Sequence, residues 1–126
     1  MFKPANTCVI MKIKGLLIKP DETPSLIEFE ESLENLQRYV GGNIEIIQPF
    51  EDDDVDVIIN EEGKLNGLPL NRLLTSKGNI IDALMGDILI VGADNETGET
   101  ISIPEEKIGK YTDLFSDFFI EIQEVK

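Results

Sequence analysis

The run GDILIVG, residues 86–92, sets the strongest constraint on the fold. From Asp87 to Val91 it is almost continuously apolar, so a strand made from it needs cover on both faces and belongs in the middle of a sheet. The flanking sequence supplies partners for it. Val9 to Lys19 is apolar with Lys12 and Lys14 alternating through it, which reads as a strand. KPDETP, residues 19–24, is a turn by its prolines and acids. Leu26 to Glu30 then returns as a strand, with Ile27 and Phe29 on one face and Glu28 and Glu30 on the other. The two segments form a hairpin with a long loop.

A helix follows. Leu33, Leu36 and Val40 recur at helical spacing, Ser32 is placed to cap the start, and Gly41-Gly42 supplies the left-handed residue that ends it. Asn43 to Gln48 alternates again, with Ile44 and Ile46 opposite Glu45 and Ile47. PFEDDD interrupts, and Val55 to Ile59 resumes. That is a second hairpin, whose loop carries Glu51, Asp52, Asp53 and Asp54. Beyond it, residues 60–72 read as irregular, TSKGN as a turn, and IIDALMG is too short to assign. After the central strand, GADNETGE is a hairpin loop with Gly98 suited to positive φ, and Thr100 to Ile103 is the return strand. Ser102 and Glu105 have capping-box spacing, with Pro104 acceptable in a first helical turn.

The last segment is the best patterned. Ile108, Tyr111, Leu114, Phe115, Phe118, Phe119 and Ile122 describe one broad apolar face of a long helix. Four of the eight aromatic residues lie on it. It is therefore expected to dock on the sheet as a main part of the core, with insertion into a partner's groove as the alternative. Hairpins with added helices make an α+β domain with a mostly antiparallel sheet, one helix after the first hairpin and a C-terminal amphipathic helix packed on the sheet.

Composition narrows the function classes. The chain has 126 residues, enough for one domain with its own core. Eleven basic residues face twenty-five acidic ones, for a net charge of −14. Such a surface repels nucleic acid and anionic membranes. It is either a solvated acidic surface or one that docks on a basic partner. Cys8 is the one cysteine, which excludes an internal disulfide, and its apolar setting reads as a small buried hydrophobe. With no histidine, zinc sites and Ser-His-Asp or Cys-His catalysis cannot be built. Walker and dinucleotide motifs are absent from the sequence, and no cofactor is expected. No apolar run reaches the roughly 18 residues of a membrane span. The short apolar run at the start is broken by Lys12 and Lys14, and no cleavage site follows it. These features point to a cytoplasmic protein.

Two acidic stretches invite a calcium reading. Asp52, Asp54 and Asp56 match the first three ligand positions of an EF-hand loop. Val57 then stands where the sharp turn needs glycine, and Gly63 where the bidentate glutamate belongs. DNETGETISIPE places Asp94, Glu96, Gly98 and Glu105 near ligand positions, but Glu99 occupies the glycine position. The first is a hairpin loop and the second a hairpin turn followed by a helix cap. No metal ligand is assigned.

IINEEGKLNGLPLNR, residues 58–72, is the least ordinary stretch. Gly63 and Asn66-Gly67 are turn signals, and Pro69 biases Leu68 to an extended shape. Asparagine side chains can bond neighbouring backbone and hold an irregular loop together. Two consecutive turns explain the stretch. It also gathers Asn60, Asn66 and Asn71 beside Lys64 and Arg72, one of two arginines in the chain. A buried arginine needs a carboxylate or an anionic ligand in this reading. Both the turn and the site remain open on the sequence.

Taken in order, SLENLQRYVGGNIEII, NEEGKLNGLPLNR and GDILIVG resemble the family known as domain of unknown function 3846. The resemblance runs from about Met11 to about Phe115. It implies that residues 1–10 are an N-terminal extension and that residues 11–126 form a single α+β domain. It also implies kinship with short proteins of Gram-positive bacteria, phages and mobile elements, and it brings no established activity.

Three functions follow as expectations. The first is a non-enzymatic interaction module whose Glu51, Asp52, Asp53, Asp54 and Asp56 meet a basic protein partner. The second is a binder or sponge for a small anionic ligand, held by Arg72 and Lys64 and oriented by Asn60, Asn66 and Asn71. The third is a carboxylate-dependent hydrolase, which needs two close acids with raised pKa; no pattern among the acids selects such a pair, and no catalytic residue is assigned.

Overall fold

The computed structural model describes residues 11–122. Cys8, Val9, Ile10 and the expected extension 1–10 lie outside these residues. Within them the chain is α+β with mostly antiparallel pairing, as the hairpin pattern implies. The first hairpin is β1 (Lys12–Ile18) with β2 (Ser25–Glu30), and the second is β3 (Ile44–Ile47) with β4 (Val55–Asn60). Strand β7 (Ile88–Ala93) lies between them, pairing antiparallel with β1 and with β4, so the order is β2-β1-β7-β4-β3. The GDILIVG expectation holds: Ile88, Leu89, Ile90 and Val91 are all fully buried.

Both faces of β7 are covered, by different parts of the chain. Leu89 and Val91 turn to one face, where Leu36 and Val40 of α1 (Leu33–Val40) pack with Ile13, Phe29 and Ile58. Ser32 caps that helix by accepting from the Asn35 amide at 3.1 Å, and Gly41 ends it at φ +83°. Leu33 departs from its expected place on the apolar face and is 58% exposed. Ile88 and Ile90 turn to the other face, into the larger core with Leu16, Ile18, Val55 and Val57. That core is closed by a second sheet and by α2 (Glu105–Leu114). The molecule is thus layered as α1, the larger sheet, then the smaller sheet with α2 beside it.

The smaller sheet differs from the sequence expectation. β5 (Leu70–Ser76) and β6 (Asn79–Met85) form a hairpin around TSKGN, with Lys77 and Gly78 at φ +53° and +83°. Neither strand stands out in the sequence, because register shifts at Leu70/Arg72 and Leu74/Thr75 break the alternation that marks a strand. The expected long C-terminal helix is also shorter. α2 stops at Leu114, and β9 (Phe119–Glu121) pairs parallel with β5. Phe118, Phe119 and Ile122 therefore lie beyond the helix, and only Tyr111, Phe115 and Ile120 of that region are fully buried. Apolar residues of the turn and strand happened to continue the helical spacing.

The link into α2 differs as well. β8 (Thr100–Ile101) pairs with β7, and the Ser102 hydroxyl accepts from the Lys14 amide at 2.9 Å instead of capping the helix. Pro104 is the N-cap residue and makes no side-chain cap bond.

Candidate functional site

The stretch 58–72 is divided between elements. Asn60 ends β4, residues 61–69 form the connection, and Asn71 and Arg72 lie within β5. Asn60 is 4% exposed; its amide donates to the Val40 carbonyl at 3.1 Å, and its oxygen accepts from the Glu62 backbone at 2.7 Å. It ties the end of α1 to the start of the connection. Asn71, 1% exposed, donates to the carbonyls of Ile18 at 2.9 Å and Gly86 at 2.8 Å. Asn66 is exposed. Lys64 is exposed too, and pairs with Asp82 at 2.6 Å.

Arg72 is 3% exposed. Its Nε donates to the Phe115 carbonyl at 3.0 Å, and Nη2 donates to the same oxygen and to the Glu22 carbonyl, both at 2.6 Å. Nη1 donates to the Asn71 carbonyl at 3.0 Å and to Asn71 Oδ1 at 2.7 Å. A guanidinium has five N–H groups, and every one has an acceptor within the fold. Burial pulls its pKa down, and the charges of Asp21 and Asp117 oppose that. Arg72 points neither at a paired carboxylate nor into a cavity shared with the asparagines; backbone carbonyls from three parts of the chain surround it. The structure therefore does not gather the five residues at one place. Asn71 and Arg72 form one buried network, Asn60 a second, and Lys64 and Asn66 stand outside both.

A cavity of about 180 Å³ lies against the connection, with Glu45, Glu61, Glu62 and Asp82 in its lining and Lys64 as the cation among them. That is below the roughly 300–1,000 Å³ of pockets for drug-sized ligands. A second, of about 230 Å³, lies over Arg72 and is lined by Asp21, Glu22 and Phe118. Both present more negative than positive charge. Asp87, just before β7, is the carboxyl that burial pushes up; Lys19 opposes the shift and Glu22 adds to it. It lines neither cavity.

The acidic β3–β4 loop is held from within. Asp52 accepts from Lys110 at 2.7 Å and from the Tyr111 hydroxyl at 2.8 Å, and pairs with Lys107 at 3.1 Å. Lys107 also pairs with Asp54 at 2.8 Å. The spacing i, i+3, i+4 puts these three residues on one face of α2. The Lys110 contact is the largest cause that holds the Asp52 carboxyl down, at about 2. The bond to Asp54 leads in pushing the Lys107 ammonium up, while burial and then Asp52 push the Tyr111 hydroxyl up. Asp56 accepts from Gln48 at 2.8 Å and Asp53 from Asn95 at 3.1 Å. Of the aspartates that matched EF-hand positions, Asp52 and Asp54 share Lys107, while Asp56 turns to Gln48. Among the described residues, no group of three or more His, Cys, Asp or Glu is placed to hold a metal ion.

The sequence reading missed Lys107, Lys110 and Tyr111. Two lysines on one face of a helix in so acidic a chain were the available signal. The Asn95 contact also joins the β7–β8 loop to the β3–β4 loop. Glu51, Asp53, Glu96 and Glu99 are exposed there, beside the α2 first turn with Glu105 and Glu106. Among the described residues no helix is long and apolar enough to cross a membrane.

Fold and site together define a three-layer α+β domain with an acidic loop tied to α2 and a buried asparagine–arginine network. The chain matches the family model described as domain of unknown function (DUF3846) over residues 11–116, most of its length, and it belongs to that family. No curated protein and no solved structure matches it.

Proposed function

We propose that the protein is a non-enzymatic interaction module of the cytoplasm that presents its acidic end to a basic protein partner. One observation carries this reading: acids from the β3–β4 loop, the β7–β8 loop and the start of α2 converge, on a frame that Lys107, Lys110 and Tyr111 fix. Asp52 and Asp54 are used inside the fold. The outward acids Glu51, Asp53, Glu96 and Glu99 are the ones a partner would meet. A fixed display of like charge steers a complementary surface and sets its orientation, without the ordering cost of a mobile loop. The anionic-ligand reading has weaker support, because the N–H groups of Arg72 are all engaged.

The test is retention of basic proteins on the immobilised chain at about 0.1 M and about 1 M salt, which shortens the Debye length from about 10 to about 3 Å. A variant with Glu51→Gln, Asp53→Asn, Glu96→Gln and Glu99→Gln runs beside it. Retention should fall steeply with salt and with the variant. Retention that survives high salt, or that the quadruple variant leaves intact, overturns the reading.

A further inference from the structure

The smaller sheet turns Leu74, Leu84 and Ile120 into the core. Its register places Leu73, Ala83 and Phe119 together on the opposite face, with Thr75, Ile80 and Glu121 as the next row. On that face Thr75 is buried and Leu73 and Ala83 are half-buried, while the two flanks are open among the described residues. Phe119 is 57% exposed, Ile80 60% and Ile81 49%, and Phe118, 40% exposed, meets Phe119 edge to face at 5.1 Å. Phe119 lies on the β9 side, with Phe118 at that edge where it also lines the cavity over Arg72, and the isoleucines lie on the β6 side, with β5 between them.

We propose that this face is a two-fold interface between copies of the chain, with Phe118 and Phe119 of one copy packed on Ile80 and Ile81 of the other. A two-fold axis running along β5 in the interface plane lays the β9 side of each copy over the β6 side of its mate, so the contact forms twice. The area is of the right order. Four large side chains at these exposures offer about 400 Å² of apolar surface. An interface of standard size covers about 800 Å² per partner, somewhat over half of it apolar. A patch of about this size is the largest a single subunit ordinarily exposes, and such patches often serve an interaction.

Charge favours a second copy as the occupant. Two chains of −14 repel wherever their acids approach. In the two outward rows, Glu121 is the one acid, and its carboxylate already accepts from the Thr75 hydroxyl at 2.8 Å and the Lys77 amide at 2.7 Å. Within these rows a basic partner has only Glu121 to pair with. Two identical copies can meet here without pressing acid on acid.

The test is sedimentation of the full chain over a range of concentrations, with Ile80→Lys, Phe119→Glu and the double variant alongside. The wild type should sediment at twice its 14.1 kDa chain mass. Each single change should weaken the dimer by about tenfold or more. The double variant, which sets lysine against glutamate at both contacts, should recover part of the loss. Higher salt should strengthen the wild-type dimer by screening the repulsion, a readout that needs no variant and runs opposite to that of the acidic end. A monomeric wild type overturns the proposal, as does a dimer that both single changes leave intact. Failure of the double variant to recover any dimer overturns the aromatic-on-isoleucine pairing.

Discussion

The guanidinium of Arg72 donates to the carbonyl of Phe115, 43 positions further along the chain, at 3.0 Å from Nε and 2.6 Å from Nη2. Phe115 is the C-cap residue of α2, where helical carbonyls are left without amide partners and the helix dipole is negative. A buried cation satisfies both needs. The same group holds the β1–β2 loop through Glu22, so one side chain joins β5, α2 and the first hairpin.

Arg72→Met keeps much of the apolar bulk and strands these acceptors away from water. The expected loss is about 3–5 kcal/mol, since hydrogen bonds from charged donors are worth about 1.5–3 kcal/mol each and are not additive. For a chain of this size that is a fall in Tm of roughly 10–15 °C. Arg72→Lys should recover only part of it, because an ammonium cannot reproduce the fork. Thermal unfolding followed by circular dichroism checks this, and an unchanged Tm in Arg72→Met would show that the network contributes little.

Asn71 gives a second, smaller expectation. Asn71→Ala leaves the carbonyls of Ile18 and Gly86 without that donor and removes Oδ1 from Arg72. Unsatisfied buried acceptors cost about 1–3 kcal/mol. The urea midpoint should fall accordingly. Because Asn71 and Arg72 share a bond, the double variant with Arg72→Met should cost less than the sum of the two; strict additivity would mean that they act separately.

How much of this was legible follows from what kind of fact each feature is. Alternation in β1 and β2, the spacing of Leu36 and Val40, the Ser32 cap and the Gly41 stop are local, and they read correctly. The β5–β6 hairpin was hidden because its bulges break the period and its inward face carries Arg72, a residue the pattern places outside a core. The end of α2 was hidden because Phe118 and Phe119 continued the apolar rhythm, although they leave the helix and remain exposed. The destination of Arg72 is tertiary. The sequence offered a carboxylate or an anion as its partner; backbone carbonyls, which every residue carries, leave no mark in a sequence. The stretch 58–72 contains much of what joins the layers, so its prominence in the family resemblance has an architectural explanation.

Gly92 tests how β8 is seated. A Cβ built there would lie 2.2 Å from the Ser102 carbonyl oxygen and 3.1 Å from Ile101 Cγ1. The carbonyl is backbone, fixed where Ser102 binds Lys14 and Ile103 donates to the Lys14 carbonyl at 2.9 Å. Gly92→Ala must push β8 away from β7, at about 1–3 kcal/mol as in other overpacked sites. Amide exchange at Ile103 should speed up with it. A variant as stable as the parent would mean that the close approach relaxes freely.

The clamp on Asp52 predicts an acid limb in stability. Its carboxyl is held at about 2 against an ordinary 3.8, chiefly by Lys110, with Tyr111 and Lys107 adding to the effect. A carboxyl depressed in the folded state binds its proton more readily once unfolded. The stability it contributes is therefore complete above pH 3.8 and is lost as the pH falls towards 2. Asp52→Asn removes that titration, so its stability near pH 2 should differ from the parent's far less than it does at pH 6. Lys110→Met should flatten the same limb partway, because Lys107 and Tyr111 remain on Asp52. Urea unfolding of the three proteins between about pH 2 and 6 gives the comparison, a window set by the ordinary and folded pKa of an aspartate. A constant offset between the parent and Asp52→Asn across that window would mean that the carboxyl titrates alike in the folded and unfolded chain.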